Sequence, residues 1–205
     1  MDISGWNERY LSKERAGEDL QTEPTKLVVK AAQNLSPGKA LDLACGTGRN
    51  AIWLAREGWD VTAVDGARAA LEILEERARK ENVNVRTVEA DLQKGEYTIT
   101  PSHWDLITLC YYLQRDLIEP AKNGTRPGGL LLVIAHTTEG DEQPTESRLR
   151  PGELARYFTG WEILHSCEGK PDDPAHRRSV AEIVARRPFP LQPGFIDAAD
   201  KAGTQ

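Results

Sequence analysis

Cysteine is scarce in this sequence, and what there is does not suit bonding or metal binding. The three cysteines among 205 residues, Cys45, Cys110 and Cys167, are odd in number, widely spaced and lack a C-x-x-C pair. That excludes a disulfide framework and a structural zinc site, so reduced thiols and no metal are expected. Long apolar runs are missing too. The longest, "GGLLLVIA" just before His136, falls far short of the roughly 20 residues that cross a bilayer, and the acidic N-terminal segment with Trp6 does not read as a signal peptide. A cytoplasmic protein without a membrane partner is expected. Positive charge is also in deficit, 26 Lys and Arg against 32 Asp and Glu for a net charge of -6. Such a field opposes a phosphate backbone, so nucleic acid is not expected as a partner.

What is present is an ordinary globular composition, 39% hydrophobic and 28% charged, at a length that fits one domain. The expected domain covers 1–187, with 1–35 as a helical cap segment and a mobile tail over 188–205. From residue 38 onward short apolar runs alternate with helical patterns. "KALDLA", "WDVTAV", "NVRTVEA", "WDLITLCYY" and "GGLLLVIA" read as strands, followed by "WEILHSCEG" and "SVAEIVARR". Strands separated by helix-length connections imply a parallel sheet with helices on both faces, a doubly wound α/β fold. Helices are expected over 24–35, at "RNAIWLAREG" and "GARAALEILEERARKENV", and at "RDLIEPAKNG", the last weakened or kinked by Pro120. A turn at "RPGG" feeds the fifth strand. The last two strands are joined by "KPDDPAHRR", too short for a parallel crossover, so they form an antiparallel hairpin at one edge of a seven-stranded sheet. The stretch 137–148, "TTEGDEQPTESR", reads as mobile.

The segment "LDLACGTGRN" places an acid on a buried strand ahead of two glycines. Gly46-x-Gly48-x-x-Ala51 satisfies the dinucleotide pattern G-x-G-x-x-G/A, with Asp65 at the end of the next strand where an acid holds ribose hydroxyls. Asp42 discriminates, because a carboxylate beside that turn repels a pyrophosphate and attracts a cation. S-adenosylmethionine is positively charged at its amino group and sulfonium and carries no phosphate. The glycines then serve close backbone approach to the ligand. Asp65 accepts both ribose hydroxyls, and Asp91, ending the third strand, reaches the adenine amino group. The plainer reading makes Asp65 and Asp91 helix N-caps and Asp42 a capped strand-end acid.

On these residues the chain resembles the class I S-adenosylmethionine-dependent methyltransferases, over roughly residues 6–187. The resemblance implies a seven-stranded Rossmann-like sheet and a cofactor pocket lined by Asp42, Ala44, Gly46, Thr47, Gly48, Arg49 and Asn50. It adds Asp65, Gly66, Ala67, Ala90, Asp91, Leu92 and the fourth-strand end Leu109, Cys110 and Tyr111. "WNERY", "CGTGRNAIWLAREGWDVTAVD" and "LRPGELARYFTGWEILHSCEG" are similar, more narrowly, to the tellurite-resistance methyltransferase group and its small-molecule relatives. That similarity implies that Trp6, Arg9 and Tyr10 fold over the cofactor, with Arg9 available to its carboxylate. It also implies that His176 and Arg177 of the final hairpin serve the acceptor. Trp6 and Tyr10 could equally pack a helix on the core, and His176 could be a solvated loop residue.

His136, at the end of the fifth strand, lies where substrate pockets form in open α/β sheets. His176 or His136 could act as a base, and Arg177, Arg49 and Arg150 could bind an oxyanion. The fourth strand ends "TLCYYL" and lacks the motif that holds an extruded base, and no separate substrate domain is visible. The expected acceptor is a small molecule, a thiol or chalcogen oxyanion among the options, met by a monomer or homodimer with the 137–150 loop as a lid. Two alternatives stay open, a nicotinamide-dependent oxidoreductase and a cofactor-binding module without catalysis.

Overall fold

Strands β1 (Lys39–Leu43), β2 (Asp60–Asp65) and β4 (Trp104–Cys110) are apolar on both faces, which suits only a strand covered by helices on either side. In the computed structural model, which describes residues 2–12, 21–33, 35–173 and 176–190, they form the middle of a seven-stranded sheet. β3 (Arg86–Glu89), β5 (Thr125–His136), β6 (Glu162–Gly169) and β7 (Val180–Arg186) complete the order β3-β2-β1-β4-β5-β7-β6. All neighbours pair in parallel except β7, which runs antiparallel to both β5 and β6. The seven expected strands and the closing hairpin are all present.

Alternation along each strand sends side chains into two layers. Ala40, Leu106, Leu132 and Ile134 pack under α2 (Lys26–Ala32), α3 (Arg49–Arg56) and α4 (Arg68–Lys80). Leu41, Leu43, Ile107, Leu109 and Val133 face the opposite layer, with α5 (Arg115–Gly124) and α6 (Glu153–Arg156). A fully buried side chain of this size stabilises by roughly 1.5–3 kcal/mol, so the sheet interior is the rigid frame for the loops at its edge. α4 shows the sequence logic plainly: Ala70, Leu71 and Leu74 are buried, while Arg68–Glu72 and Glu76–Lys80 pair one turn apart on the solvent side. α1 (Ile3–Leu11) is capped by Asp2, whose Oδ1 accepts from Gly5 N, and packs on α4.

Three local expectations change. α5 continues through Pro120, which is exposed together with Asp116, whose carbonyl loses its partner toward water. "RPGG" does not precede the fifth strand but lies within it, as an irregularity where the register jumps from Trp104↔Thr125 to Leu106↔Leu130. The stretch 137–148 is tied down, with bridges Thr137↔Leu149 and Thr145↔Arg148 and an ion pair from Arg148 to Glu142 at 3.3 Å. The expected tail lies outside the described residues from 191 onward. Among the described residues no helix is long and apolar enough to cross a membrane.

Candidate functional site

The chain leaves β1 through a left-handed turn. Ala44, Gly46 and Gly48 have φ of 52°, 53° and 82°, so a residue with a side chain shares this turn with two glycines. An alanine held there stores strain of order 1–2 kcal/mol, a cost that clusters at ligand sites. A Cβ on Gly46 would stand 3.1 Å from Tyr10 Oη, and one on Gly48 2.3 Å from Leu74 Cγ. Gly46 therefore marks where backbone lies bare beneath α1, and Gly48 lets α3 seat on α4.

Asp42 sits under the start of α3, 1% exposed, opposite Thr108 of β4. Its Oδ1 accepts from Thr108 Oγ1 at 2.7 Å, while Oδ2 is buried without a hydrogen-bond partner. Burial pushes its carboxyl up to about 7 against the pull of Thr108 and the nearby Arg49. Asp65 is anchored differently: Oδ2 accepts from Gly46 N and Oδ1 from Ala67 N, both at 2.8 Å. The carboxylate thus staples the glycine turn to the start of α4, and each oxygen keeps a further lone pair for a hydroxyl. Burial raises its pKa, and the amides of Ala67 and Gly46 oppose that. Asp91 caps the short 3-10 turn Leu92–Lys94, accepting from Gln93 N and Lys94 N, and pairs with Lys94 Nζ at 3.1 Å. The capping role considered for Asp91 is thus real, on a 3-10 turn, whereas Ala67 is the N-cap of α4 and Asp65 accepts from its amide. Ala90 and Leu92 are buried beside Asp91.

α1 roofs this crevice. Ile3 covers Gly66, where a Cβ would stand 2.3 Å from its Cδ1, and Asn7 Oδ1 accepts from Ala69 N at 2.9 Å, capping α4. Trp6 and Tyr10 stack with centroids 6.1 Å apart, and the Arg9 guanidinium lies 5.2 Å from the Trp6 ring centroid. Trp6 is 37% exposed and α1 has no buried residue, so these aromatics form a roof over the glycine turn rather than a core contact.

A second cluster gathers at the ends of β4 and β5. Tyr111 takes a left-handed conformation, φ 59°, held by its N–H on Ile134 O at 2.7 Å. His176 stacks on the Tyr111 ring with centroids 3.4 Å apart, and His136 lies 5.9 Å from Tyr111 and 5.6 Å from His176. The Arg49 guanidinium stands 5.4 Å from the Tyr111 centroid and pairs with Asp173 at 2.7 Å. Burial brings His176 down to about 4; Asp173 opposes this, and Arg49 and His136 add to it. Burial and Asp173 raise the Tyr111 phenol well above its usual range. At neutral pH the cluster holds a neutral imidazole against a neutral phenol.

Some expected residues turn elsewhere. Thr47 Oγ1 accepts from Arg77 Nη1 at 2.8 Å, and Asn50 Oδ1 accepts from Thr25 N at 2.9 Å, fastening the segment before α2. Leu109 points into the α5 layer. Cys110 and Cys45 are thiols pushed up by burial. Arg177 is exposed, its backbone oxygen accepting from Lys170 Nζ. Arg150 lines a separate cavity of about 360 Å³ with Arg115 and Arg156, away from the histidines. Asp173 and Arg77 were not anticipated. The acid pair in "KPDDPAHRR" was the available signal for Asp173; an arginine on a helix face gives none.

A parallel sheet closed by a reversed strand, a glycine turn after β1 and acids at three successive strand ends together define the fold of the S-adenosylmethionine-dependent methyltransferases. Within that class, the family model "Tellurite resistance protein TehB" matches residues 8–173, and the chain belongs to this family. TehB of Haemophilus influenzae (strain KW20), named "Probable S-adenosyl-L-methionine-dependent methyltransferase TehB", is 31% identical over 177 residues, 78% of this chain and 61% of that protein. The crystal structure of TehB from Haemophilus influenzae superimposes with a TM-score of 0.70 at 30% identity, covering 82% of this chain and 64% of that one. This chain thus spans about three fifths of the length of these relatives. A structure concerned with conversion of a disulfide bond into a thioacetal group during echinomycin biosynthesis shares the fold alone, at 19% identity and TM-score 0.62 over 81% of this chain and 82% of that one.

Proposed function

We propose that the protein is an S-adenosylmethionine-dependent methyltransferase acting on a small-molecule acceptor. The observation that carries this reading is the buried, unpartnered Oδ2 of Asp42 beneath the glycine turn. An acid held there at about 7 by burial is costly to ionise unless a cation neutralises it. A pyrophosphate worsens that cost and a cationic nucleoside removes it, so the donor set fits S-adenosylmethionine. Asp65 offers its remaining lone pairs to a ribose, Asp91 and Leu92 edge the base, and Tyr10 with Trp6 closes the roof. When bound, the cofactor supplies a methyl group on a positively charged sulfur.

The chain's part is positioning and proton handling. Tyr111, His136 and His176 wall the acceptor side. With its imidazole neutral above about 4, His176 accepts a proton from an acceptor that has become strongly acidic on alkylation, and Tyr111, kept neutral by burial, donates a hydrogen bond. Arg49 and Asp173 hold the hairpin that carries His176. The free thiols suit a reducing, cytoplasmic setting.

Calorimetry tests the reading. S-adenosylmethionine and S-adenosylhomocysteine are expected to bind, and NAD and NADP are not. Nicotinamide binding without S-adenosylmethionine binding would overturn the proposal in favour of an oxidoreductase.

A further inference from the structure

We infer that the trough between α2 and the β6–β7 hairpin is the acceptor's cavity and that it takes an uncharged, partly apolar organic molecule rather than a small oxyanion. This inference rests on the methyl-transfer reading above, whose histidine cluster the trough adjoins. The cavity measures about 850 Å³, and Arg49, Tyr111 and Asp173 form its inner end. From there it runs between α2 and the sheet at β7 and β6.

Size argues first. At a share of roughly 30 Å³ per water-sized atom, a four-atom oxyanion needs on the order of 100 Å³. The trough falls in the range of roughly 300–1,000 Å³ typical of drug-sized organic ligands. An oxyanion alone would leave most of it to water.

Charge argues second: the lining carries four cations, Lys26, Lys30, Arg49 and Lys170, against four acids, Glu23, Asp172, Asp173 and Glu182, so it presents no net positive field to an anion. Arg49 pairs with Asp173 at 2.7 Å and Lys26 with Asp172 at 3.5 Å, while Glu182 Oε2 lies 3.0 Å from His165 Nε2. Lys170 is held by Glu139 at 2.5 Å. Glu23, exposed at the mouth, is a single charge screened by water. A dianion entering this lining meets as many acids as cations. A neutral molecule meets no such cost and finds apolar surface on Leu27, Val29, Val180 and the Tyr111 ring.

Cys167 supplies the reporter, since it is the exposed thiol and lines the trough, while Cys45 and Cys110 are half-buried thiols whose pKa is pushed up by burial. Iodoacetamide modification of Cys167 is followed by intact mass, with naphthol as the neutral probe and selenite as the oxyanion. By mass action, naphthol at about four times its Kd is expected to slow the modification about five-fold, with selenite without effect. Val29→Trp, which fills the trough, is expected to abolish naphthol protection while S-adenosylhomocysteine affinity, read by calorimetry, stays unchanged. A second arm needs no variant: wild-type protein alkylated at Cys167 with N-phenylmaleimide should no longer shift naphthol fluorescence. Protection by selenite, no protection by naphthol, or undiminished naphthol binding after Cys167 is blocked would each overturn the inference. If S-adenosylhomocysteine fails to bind, the methyl-transfer reading falls, whereas naphthol protection still reports separately on the trough.

Discussion

Arg49 Nη1 and Asp173 Oδ2 stand 2.7 Å apart with both side chains largely buried, joining the first residue of α3 to the β6–β7 hairpin. The contact spans more than a hundred residues of sequence and fixes where the hairpin lies against the crevice. Tyr111 Oη, 3.4 Å from Asp173 Oδ2, adds a third member. Removing one partner from a buried pair leaves the other charge without compensation, a loss of about 3–5 kcal/mol when fully buried. Asp173→Ala is therefore expected to destabilise by about 2–4 kcal/mol in urea titration, and Asp173→Asn by less. Both should lower kcat more than they raise the cofactor KM, because the hairpin carries His176 and not the glycine turn. An equal loss in cofactor affinity would contradict that division of labour.

Asp42 gives a prediction with a definite sign. Its folded pKa, about 7, lies above a carboxyl's ordinary 3.8, so its contribution to stability is full below pH 3.8 and is lost as pH rises through 7. That rise corresponds to an upper bound of about 4 kcal/mol. Asp42→Asn is expected to raise the stability of the ligand-free protein at pH 8 by about 1–3 kcal/mol, within that bound, while weakening S-adenosylmethionine binding at least about tenfold. Wild-type affinity should rise with pH through about 7 and the variant's should not. Melting curves with and without cofactor at pH 5 and 8 read both effects.

The frame of the molecule was legible because each strand is a short apolar run closed by a turn, and periodicity reports that directly. The "RPGG" irregularity was not, since glycine and proline announce a break in the chain without saying whether the strand resumes its pairing. The acids at the ends of β1, β2 and β3 were legible for the same reason as the strands, their position at a strand terminus. Side-chain direction was not. Asn50 and Thr47 flank the glycines, yet one fastens Thr25 and the other accepts from Arg77, choices set by neighbours distant in sequence. The His-Arg pair of the hairpin divides likewise: His176, whose N–H donates to Asp173 O, stacks inward on Tyr111, and Arg177 is exposed.

His176 acts in the opposite pH direction to Asp42. Its folded pKa, about 4, lies below an imidazole's ordinary 6.5, so the stability tied to its neutral form is full above pH 6.5 and is lost as pH falls toward 4. His176→Phe retains a ring to stack on Tyr111 and removes the titration. The variant is expected to show a flatter decline in melting temperature between pH 6.5 and 4. Turnover on acceptors that must lose a proton should drop about 100-fold, with S-adenosylhomocysteine affinity unchanged. An acid limb identical to wild type would remove His176 from this role.

Gly46 tests the roof. Its φ of 53° already disfavours a side chain, and the added Cβ would stand 3.1 Å from Tyr10 Oη. Gly46→Ala is expected to cost about 1–2 kcal/mol from the backbone alone and to displace Tyr10. Cofactor affinity should fall about tenfold or more, since the turn and the roof move together. Combining it with Tyr10→Phe distinguishes the two contributions: if the phenol oxygen is what collides, the double variant recovers part of the affinity.

Arg115 decides whether the 137–150 loop is a lid or a wall. Its Nε and Nη2 grip Glu153 at 2.7 and 3.3 Å, Nη1 donates to Thr145 O and Glu146 O at 2.9 and 3.2 Å, and Nη2 also reaches Arg148 O at 3.0 Å. One guanidinium therefore binds the loop to α5 and α6 at five acceptors, which a lysine, with no planar fork, cannot reproduce. A segment held this way opens rarely. Arg115→Lys and Arg115→Ala are expected to speed limited trypsin cleavage after Arg148 by about 10–100-fold, a loss of about 1.4–2.8 kcal/mol of local stability. If the loop is a fixed wall, kcat stays near wild type while cleavage accelerates. If it is a lid whose opening limits product release, kcat rises with the cleavage rate. The contacts favour the wall, because they tie the loop to α5 and α6, and Pro144 lines the arginine cavity instead of the trough that leads to Tyr111.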